Sequence, residues 1–414
     1  MLFFTKKKES VPVEQMDLDA VMKKFDRESN TRVWEGTPKI VVNCILAAFS
    51  LFCIYVTFFA TWLDTIRLSS FMGCIVLIGF LIYPAQKGMQ KVNYMPWYDI
   101  ILTVAGSASF FYYTFDAMTI IQQGSRFQLY QVIIGVVGIL CLLELCRRCV
   151  GIPIIVVALV FIVYAIFWGL TNPDMLRRLE GLIGKLFYTT TSGILSTPVN
   201  TCSKYIAIFI IFGAFLERTG IADFFINISN AVVGGFSGGP AKVAVVASAM
   251  EGMVSGSSVA NTVGSGSVTI PLMKKTGYKP EFAAAAEASA STGGQIMPPI
   301  MGAAAFLMAE NIGVPYSNIV VRAILPACLY FLGVFIAVHL EAKKEGLRGL
   351  SREELPKFIP LLKQIYLLLP LIILIVLVSS GSRSIAYAAA IAIVATIAKR
   401  ICLYVYFISI LFCG

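Results

Sequence analysis

Charge is in short supply. Asp, Glu, Lys and Arg make up 14% of the 414 residues, whereas a soluble domain carries roughly 25%, so a water-soluble core of this size would lack the polar groups to cover it. Soluble enzymes and nucleic-acid-binding proteins are excluded on that ground, and no nucleic acid is expected as a partner. Histidine is scarcer still, with His339 alone in the chain. No HExxH pair is present for a metalloprotease. Gly239-Pro240-Ala241-Lys242 lacks the Gly-Lys step of a phosphate-binding loop, which removes support for an ATPase. No apolar run adjoins the first methionine, as a cleaved signal peptide would require, and residues 1–39 hold eight Lys or Arg. That segment is expected to be cytoplasmic. The ten cysteines sit mostly alone inside apolar segments, where they act as small hydrophobes and imply no disulfides. Cys146 and Cys149 have metal-site spacing, but no second pair completes a four-thiolate zinc site, and the spacing is read as incidental.

What fills the chain instead is apolar sequence. Hydrophobic residues reach 58% with a mean hydropathy of +0.81, and runs near the roughly 20 residues needed to cross a bilayer recur throughout. The expected fold is an all-α polytopic membrane protein. Runs at 40–62, 68–83, 97–115, 129–146 and 151–170 give five spans, and residues 171–200 read as an outer connection. The formal charge of +10 lies largely in short loops, where it orients helices. With the N-terminus inside, the inner side collects twelve basic residues, ending at Arg147 and Arg148, and the outer side five: Arg67, Arg126, Arg177, Arg178 and Lys185. In the leading segment Leu18, Val21, Met22 and Phe25 recur at helical spacing, which reads as a solvated lead-in helix.

After residue 200 the texture shifts from bulky aromatics to Gly, Ala and Ser, placing a boundary near 171–190. A span at 204–217 leads to the Gly-rich turn Gly234 to Pro240. Val243 to Met273 then has lysines beyond both ends and Ser255-Gly256-Ser257-Ser258-Val259-Ala260-Asn261 at its middle. Each arm is about 11 residues, or about 16 Å of helix, half of the roughly 30 Å hydrocarbon layer. A re-entrant hairpin with a polar tip near the midplane is expected. Glu281 to Glu310 is broken at Ser291-Thr292-Gly293-Gly294-Gln295 and at Pro298-Pro299, since proline removes a backbone donor and paired glycines loosen the chain. A span at 318–340 and apolar runs at 364–379 and 384–398 complete the pattern.

Two discontinuous elements in succession are the sequence pointer to a secondary transporter's binding region. Irregular backbone at membrane depth survives only where it is buried in protein or lines a cavity. Ser255, Ser257, Ser258, Asn261, Thr292 and Gln295 offer neutral oxygens suited to a hard monovalent cation such as Na+, beside carbonyls freed at the break. Half-helix N-termini near Asn261 and Pro299 suit a carboxylate. Glu251 and Glu287 lie beside these elements, where a carboxylate is either functional or structurally hydrogen-bonded. Glu217 with Arg218 reads as an interfacial helix end.

These residues resemble the large membrane subunit of tripartite ATP-independent periplasmic (TRAP) transporters, in the version fused to the small subunit. The resemblance is carried by Gly239-Pro240-Ala241-Lys242, by Glu251-Gly252-Met253-Val254-Ser255-Gly256-Ser257-Ser258-Val259-Ala260-Asn261, by Ile270-Pro271-Leu272-Met273, and by Gly293-Gly294-Gln295-Ile296-Met297-Pro298-Pro299. It implies an elevator-type, sodium-driven importer in the cell inner membrane, surrounded by membrane lipid. That importer takes C4-dicarboxylates or other carboxylates from a periplasmic binding protein. The expected organisation is a cytoplasmic segment at 1–39, a small-subunit-like region at 40–185, the first part of the large-subunit transport domain at 186–400 and an atypical tail at 401–414. The resemblance also implies cation or substrate contacts at Ser255, Gly256, Ser257, Ser258, Asn261, Thr292, Gly293, Gly294, Gln295 and Pro298. Of these, Ser257, Ser258, Asn261 and Gly293 are the sodium candidates.

The family has a second, inverted half with its own hairpin and broken helix. Only the first set is found here, and a C-terminally truncated reading frame is the expectation. Two rivals stand beside the transporter. Gly235-Phe236-Ser237-Gly238 matches the nucleophile motif of intramembrane serine proteases, which would need Ser237 within reach of His339. A channel or scaffold subunit is the other, since hairpins also build selectivity filters.

Overall fold

The computed structural model describes residues 31–85, 92–124, 126–167, 174–351, 353–380 and 384–397. The expected lead-in helix around Leu18 to Phe25 and the tail at 401–414 lie outside these residues. Every regular element among the described residues is helical. Six of these helices are long and apolar enough to cross a membrane: Gly36–Phe58, Asp64–Ile82, Leu129–Cys149, Thr197–Glu217, Tyr316–Lys344 and Phe358–Val378. The chain divides into two compact units, one holding Met1–Leu51 and Trp62–Ser196, the other Phe52–Thr61 and Thr197–Gly414.

Within the first unit, α1 (Gly36–Phe58, which runs on past it), α2 (Asp64–Ile82), α3 (Trp97–Phe115), α4 (Ala117–Gln123), α5 (Leu129–Cys149), α6 (Ile152–Phe167) and α7 (Met175–Phe187) follow in order. α3 has the length of a span but turns Asp99, Thr103, Ser107, Ser109 and Tyr113 inward. Asp99 is fully buried and paired with two guanidiniums, Arg32 and Arg148, the latter at 2.6 Å. Arg148 also bonds Glu144 at 2.9 Å and lies over the Phe80 ring. Counted in sequence among the inner-side basic residues, Arg148 is also committed to a buried ion pair. Residues 171–200 were expected to be a plain connection, yet α7 lies among them. Phe187 and Tyr188 at its end pack into the core, where Tyr113 donates to the Tyr188 carbonyl at 2.6 Å. Three basic residues along Met175–Phe187 kept mean hydropathy low and masked the helix.

In the second unit, α8 (Thr197–Glu217) carries a π-helical turn at Cys202–Ile206, followed by α9 (Ile221–Val233). α9 is absent from the sequence reading, because its Asp223, Asn227, Ser229 and Asn230 interrupt the apolar run. Packing supplies what local hydropathy lacks: Ile221, Phe224 and Phe225 are almost fully buried. α10 (Gly239–Ser255) and α11 (Ser258–Lys275) form a hairpin, and α12 (Pro280–Gly293) lies against both. Tyr278 closes its base by donating to the Gly238 carbonyl at 3.3 Å, and burial pushes its phenol up to about 12.

The hairpin arms number 17 and 18 residues, not about 11, because helix continues beyond the apolar stretch, from the Gly239-Pro240 start to Lys275. At about 26 Å each, their length does not by itself set the depth of the tip. α13 (Ala303–Ile312), α14 (Tyr316–Lys344), α15 (Phe358–Val378) and α16 (Ile385–Ile397) complete the unit.

Candidate functional site

Both predicted interruptions form. α10 ends at Gly256, whose φ of +60° is the left-handed cap conformation that glycine adopts without penalty. A Cβ there would also stand 2.7 Å from the Met301 carbonyl. Ser257 caps α11 by accepting from the Ala260 amide at 3.3 Å, so this helix starts at Ser258 rather than near Asn261. The broken helix runs α12, a 3-10 turn at Gly294–Ile296, then irregular chain to the start of α13 at Ala303. Its second N-terminus therefore lies four residues beyond Pro299.

The hairpin tip and the break meet. Gln295 donates through Nε2 to Ser258 Oγ at 3.0 Å. A Cβ on Gly252 would run into the backbone of Gly294, and one on Gly294 would stand 2.9 Å from Asn261 Nδ2. Glycines at 252, 256 and 294 are thus what permits the approach. Asn261 is 2% exposed, donates to the Ser248 carbonyl at 2.8 Å, and keeps Oδ1 without a partner among the described residues. Such an orphan oxygen is costly unless something occupies it.

Not every predicted residue joins this cluster. Thr292 is exposed and bonds back to Ala288 within its own helix at 2.7 Å. Gly293 faces the Tyr330 and Phe331 rings. Ser255 makes only long contacts with Ser257, at 3.4 Å. Pro298 is half-buried, and its neighbour Pro299 offers its carbonyl to Tyr316 at 2.9 Å. The carbonyls of Gly294 and Gln295 are engaged by the Met297 and Gly302 amides, at 3.2 and 2.7 Å, so the break is closed on itself.

Behind the tip lies a carboxylate cage. Glu287 is fully buried and accepts from Ser248 at 3.0 Å, Ser291 at 3.2 Å, Ser265 and Thr269. Glu251, 7% exposed, lies against Gly264 with Oε1 unpartnered among the described residues. The hydroxyls at 248, 265 and 269 were missed in the sequence. Their signal was their recurrence on the faces that α10 and α11 turn toward α12.

A cavity of about 540 Å³ opens beside the break, lined by Gln295, Asn318 and Arg322 and by apolar side chains such as Ile296, Met301 and Met308. Arg322 also escaped the sequence reading, although an arginine inside an apolar span is itself a signal.

Ser237 donates to the Leu347 carbonyl at 2.9 Å, and His339 Nδ1 has no partner among the described residues. The two are not joined as a protease dyad.

The profile of the family described as "Tripartite ATP-independent periplasmic transporter, DctM component" matches residues 137–406, well over half of the chain. The chain belongs to that DctM family. Among the relatives it resembles is the C4-dicarboxylate TRAP transporter large permease protein DctM of Vibrio cholerae, 35% identical over 142 residues, which are 34% of this chain and 31% of that protein. The Pseudomonas aeruginosa protein of the same name is 29% identical over 238 residues, 57% of this chain and 52% of that protein. The isethionate TRAP transporter permease protein DctMQ of Oleidesulfovibrio alaskensis is 27% identical over 148 residues, 36% of this chain and 23% of that protein. The chain thus spans about half the length of these DctM relatives or less. They are transporter permeases and not enzymes, which removes the protease alternative.

Proposed function

We propose that this DctM-family chain is the inner-membrane permease component of a sodium-coupled secondary importer of organic acids, receiving its substrate from a periplasmic binding protein. In this reading the N-terminus is cytoplasmic, the α10–α11 hairpin is re-entrant, and residues 40–185 serve as a fused small-subunit region. The observation that carries it is the junction of the hairpin tip with the broken helix through Gln295 and Ser258. Ser257, Ser258 and Asn261 would hold the sodium ion through their side chains, and Gly293 only through its carbonyl, since the side of that residue where a Cβ would stand faces the Tyr330 and Phe331 rings. The donor set suits it: hydroxyl, amide and carbonyl oxygens carry no charge, and Asn261 Oδ1 has no hydrogen-bond partner among the described residues to compete with a cation. The ion would neutralise a substrate carboxylate and couple its entry to the sodium gradient. Movement of the transport domain as an elevator would then carry both across.

Reconstituted full-length protein, with the remaining subunits of its transporter, is expected to take up a carboxylate only when sodium and the binding protein are both present. Uptake unaffected by omitting either would sink the importer reading. Ser257→Ala combined with Ser258→Ala should weaken sodium activation, and unchanged activation would reject the tip as the ion's ligand set.

A further inference from the structure

Arg322 is the charged residue of the cavity beside the break. It lies at the second turn of α14, and Asn318, one turn earlier on the same face, lines the cavity with it. Among the described residues no carboxylate or carbonyl pairs with Arg322. Its guanidinium is thus free to offer the planar fork that matches a carboxylate. The walls away from it are aliphatic, methionine and alanine side chains. Gln295 lies on the cavity wall and also bonds Ser258 at the hairpin tip, so one amide connects the cavity to the proposed cation cluster.

We propose that this cavity is the organic-acid site, that Arg322 and Asn318 hold the substrate's carboxylate, and that it selects a monocarboxylate with an apolar body over a dicarboxylate. The inference rests on the permease reading above and sharpens its substrate class. The selectivity follows from charge count. One anionic end meets Arg322, whereas a second would lie against a wall of Ile296, Met301 and Met308 that holds no second cation to pair with it. The volume lies in the range of small-molecule sites, roughly 300 to 1,000 Å³. A lipid with an anionic head shares this chemistry, but contact with Gln295 at the break favours the soluble acid.

The test is arginine labelling by phenylglyoxal in the full chain, held in nanodiscs of neutral phosphatidylcholine and read residue by residue by peptide mass spectrometry. Hexanoate at about ten times its dissociation constant should slow labelling of Arg322 about tenfold by mass action. Hexanamide, which has the same body without the charge, should not, and adipate should protect far less than hexanoate. Arg348, in the loop after α14, is the internal control. Equal labelling of Arg322 with and without hexanoate overturns the proposal. So does equal protection by adipate, or protection conferred by phosphatidylglycerol and not by hexanoate. Arg322→Gln should abolish the stabilisation of the full chain by hexanoate against heat and keep that by sodium. Absence of protection in a protein that still shows sodium-dependent uptake rejects this cavity alone. Protection without any sodium-dependent uptake rejects the importer and leaves the cavity standing.

Discussion

Both units bury a carboxylate completely, and they satisfy it in different ways. In the first, Asp99 on α3 is met by the guanidiniums of Arg32 and Arg148, and Arg148 is itself braced by Glu144 and the Phe80 ring. In the second, Glu287 on α12 is met by the hydroxyls of Ser248, Ser265, Thr269 and Ser291, with no cation among the described residues. A matched ion pair resists any change of charge around it, because each partner needs the other. A hydroxyl cage can turn its donors, and neighbouring Glu251 keeps one oxygen unpartnered. The first arrangement suits a fixed scaffold. The second suits a region whose surroundings can change, as the importer proposed above would require.

The largest expected effect breaks the first arrangement. Asp99→Asn leaves two buried guanidiniums facing an amide and should cost about 3 to 5 kcal/mol, read as a lowered denaturation midpoint of the full chain in detergent. Glu287→Gln should cost less, about 2 kcal/mol, since the hydroxyls can reorient toward the amide oxygen. If both substitutions cost the same, the hydroxyl cage holds its carboxylate as firmly as the arginines do, and the contrast disappears.

Gly252→Ala tests whether the cage region depends on the close approach of hairpin and break. Its Cβ enters the Gly294 backbone, and about 1 to 2 kcal/mol of overpacking is expected together with a weaker sodium response. A variant as stable and as sodium-responsive as the parent would show that α10 can shift without consequence.

The smallest effect lies outside both arrangements. Glu354, exposed in the loop before α15, accepts from the Ser351 amide at 3.1 Å and its hydroxyl at 3.0 Å. These bonds hold its carboxyl below the usual glutamate range. A lowered value means that the contribution to folding is present above the ordinary titration range and lost as pH falls through the folded value. Ser351→Ala should move the titration partway upward, as followed by NMR. No movement would assign the shift to the Ser351 amide alone.

How much of this was legible depended on whether a feature is local. The interruptions at Ser255 to Asn261 and at Ser291 to Pro299 stand out because polar and helix-breaking residues inside an apolar run have no other local meaning. α9 and α7 did not stand out, because their stability comes from burying Phe224, Phe225 and Phe187 against distant elements. The ion pair of Arg148 was hidden for the same reason. Its partner Asp99 lies 49 positions away, and in one dimension an arginine at a span's end looks like a topology signal.

The amino-acid sequence by itself determined that this is an all-helical chain with apolar spans and two broken elements, since hydropathy and backbone preference act over one or two turns. Tertiary structure alone decided that the two breaks meet through Gln295 and Ser258, that Glu287 is caged by hydroxyls from three helices, and that Arg322 opens onto a cavity beside them. Those outcomes depend on which helix faces which. That is set by glycine-permitted approach at Gly252 and Gly294 and by packing summed over the whole unit, and neither is written in any single stretch of chain.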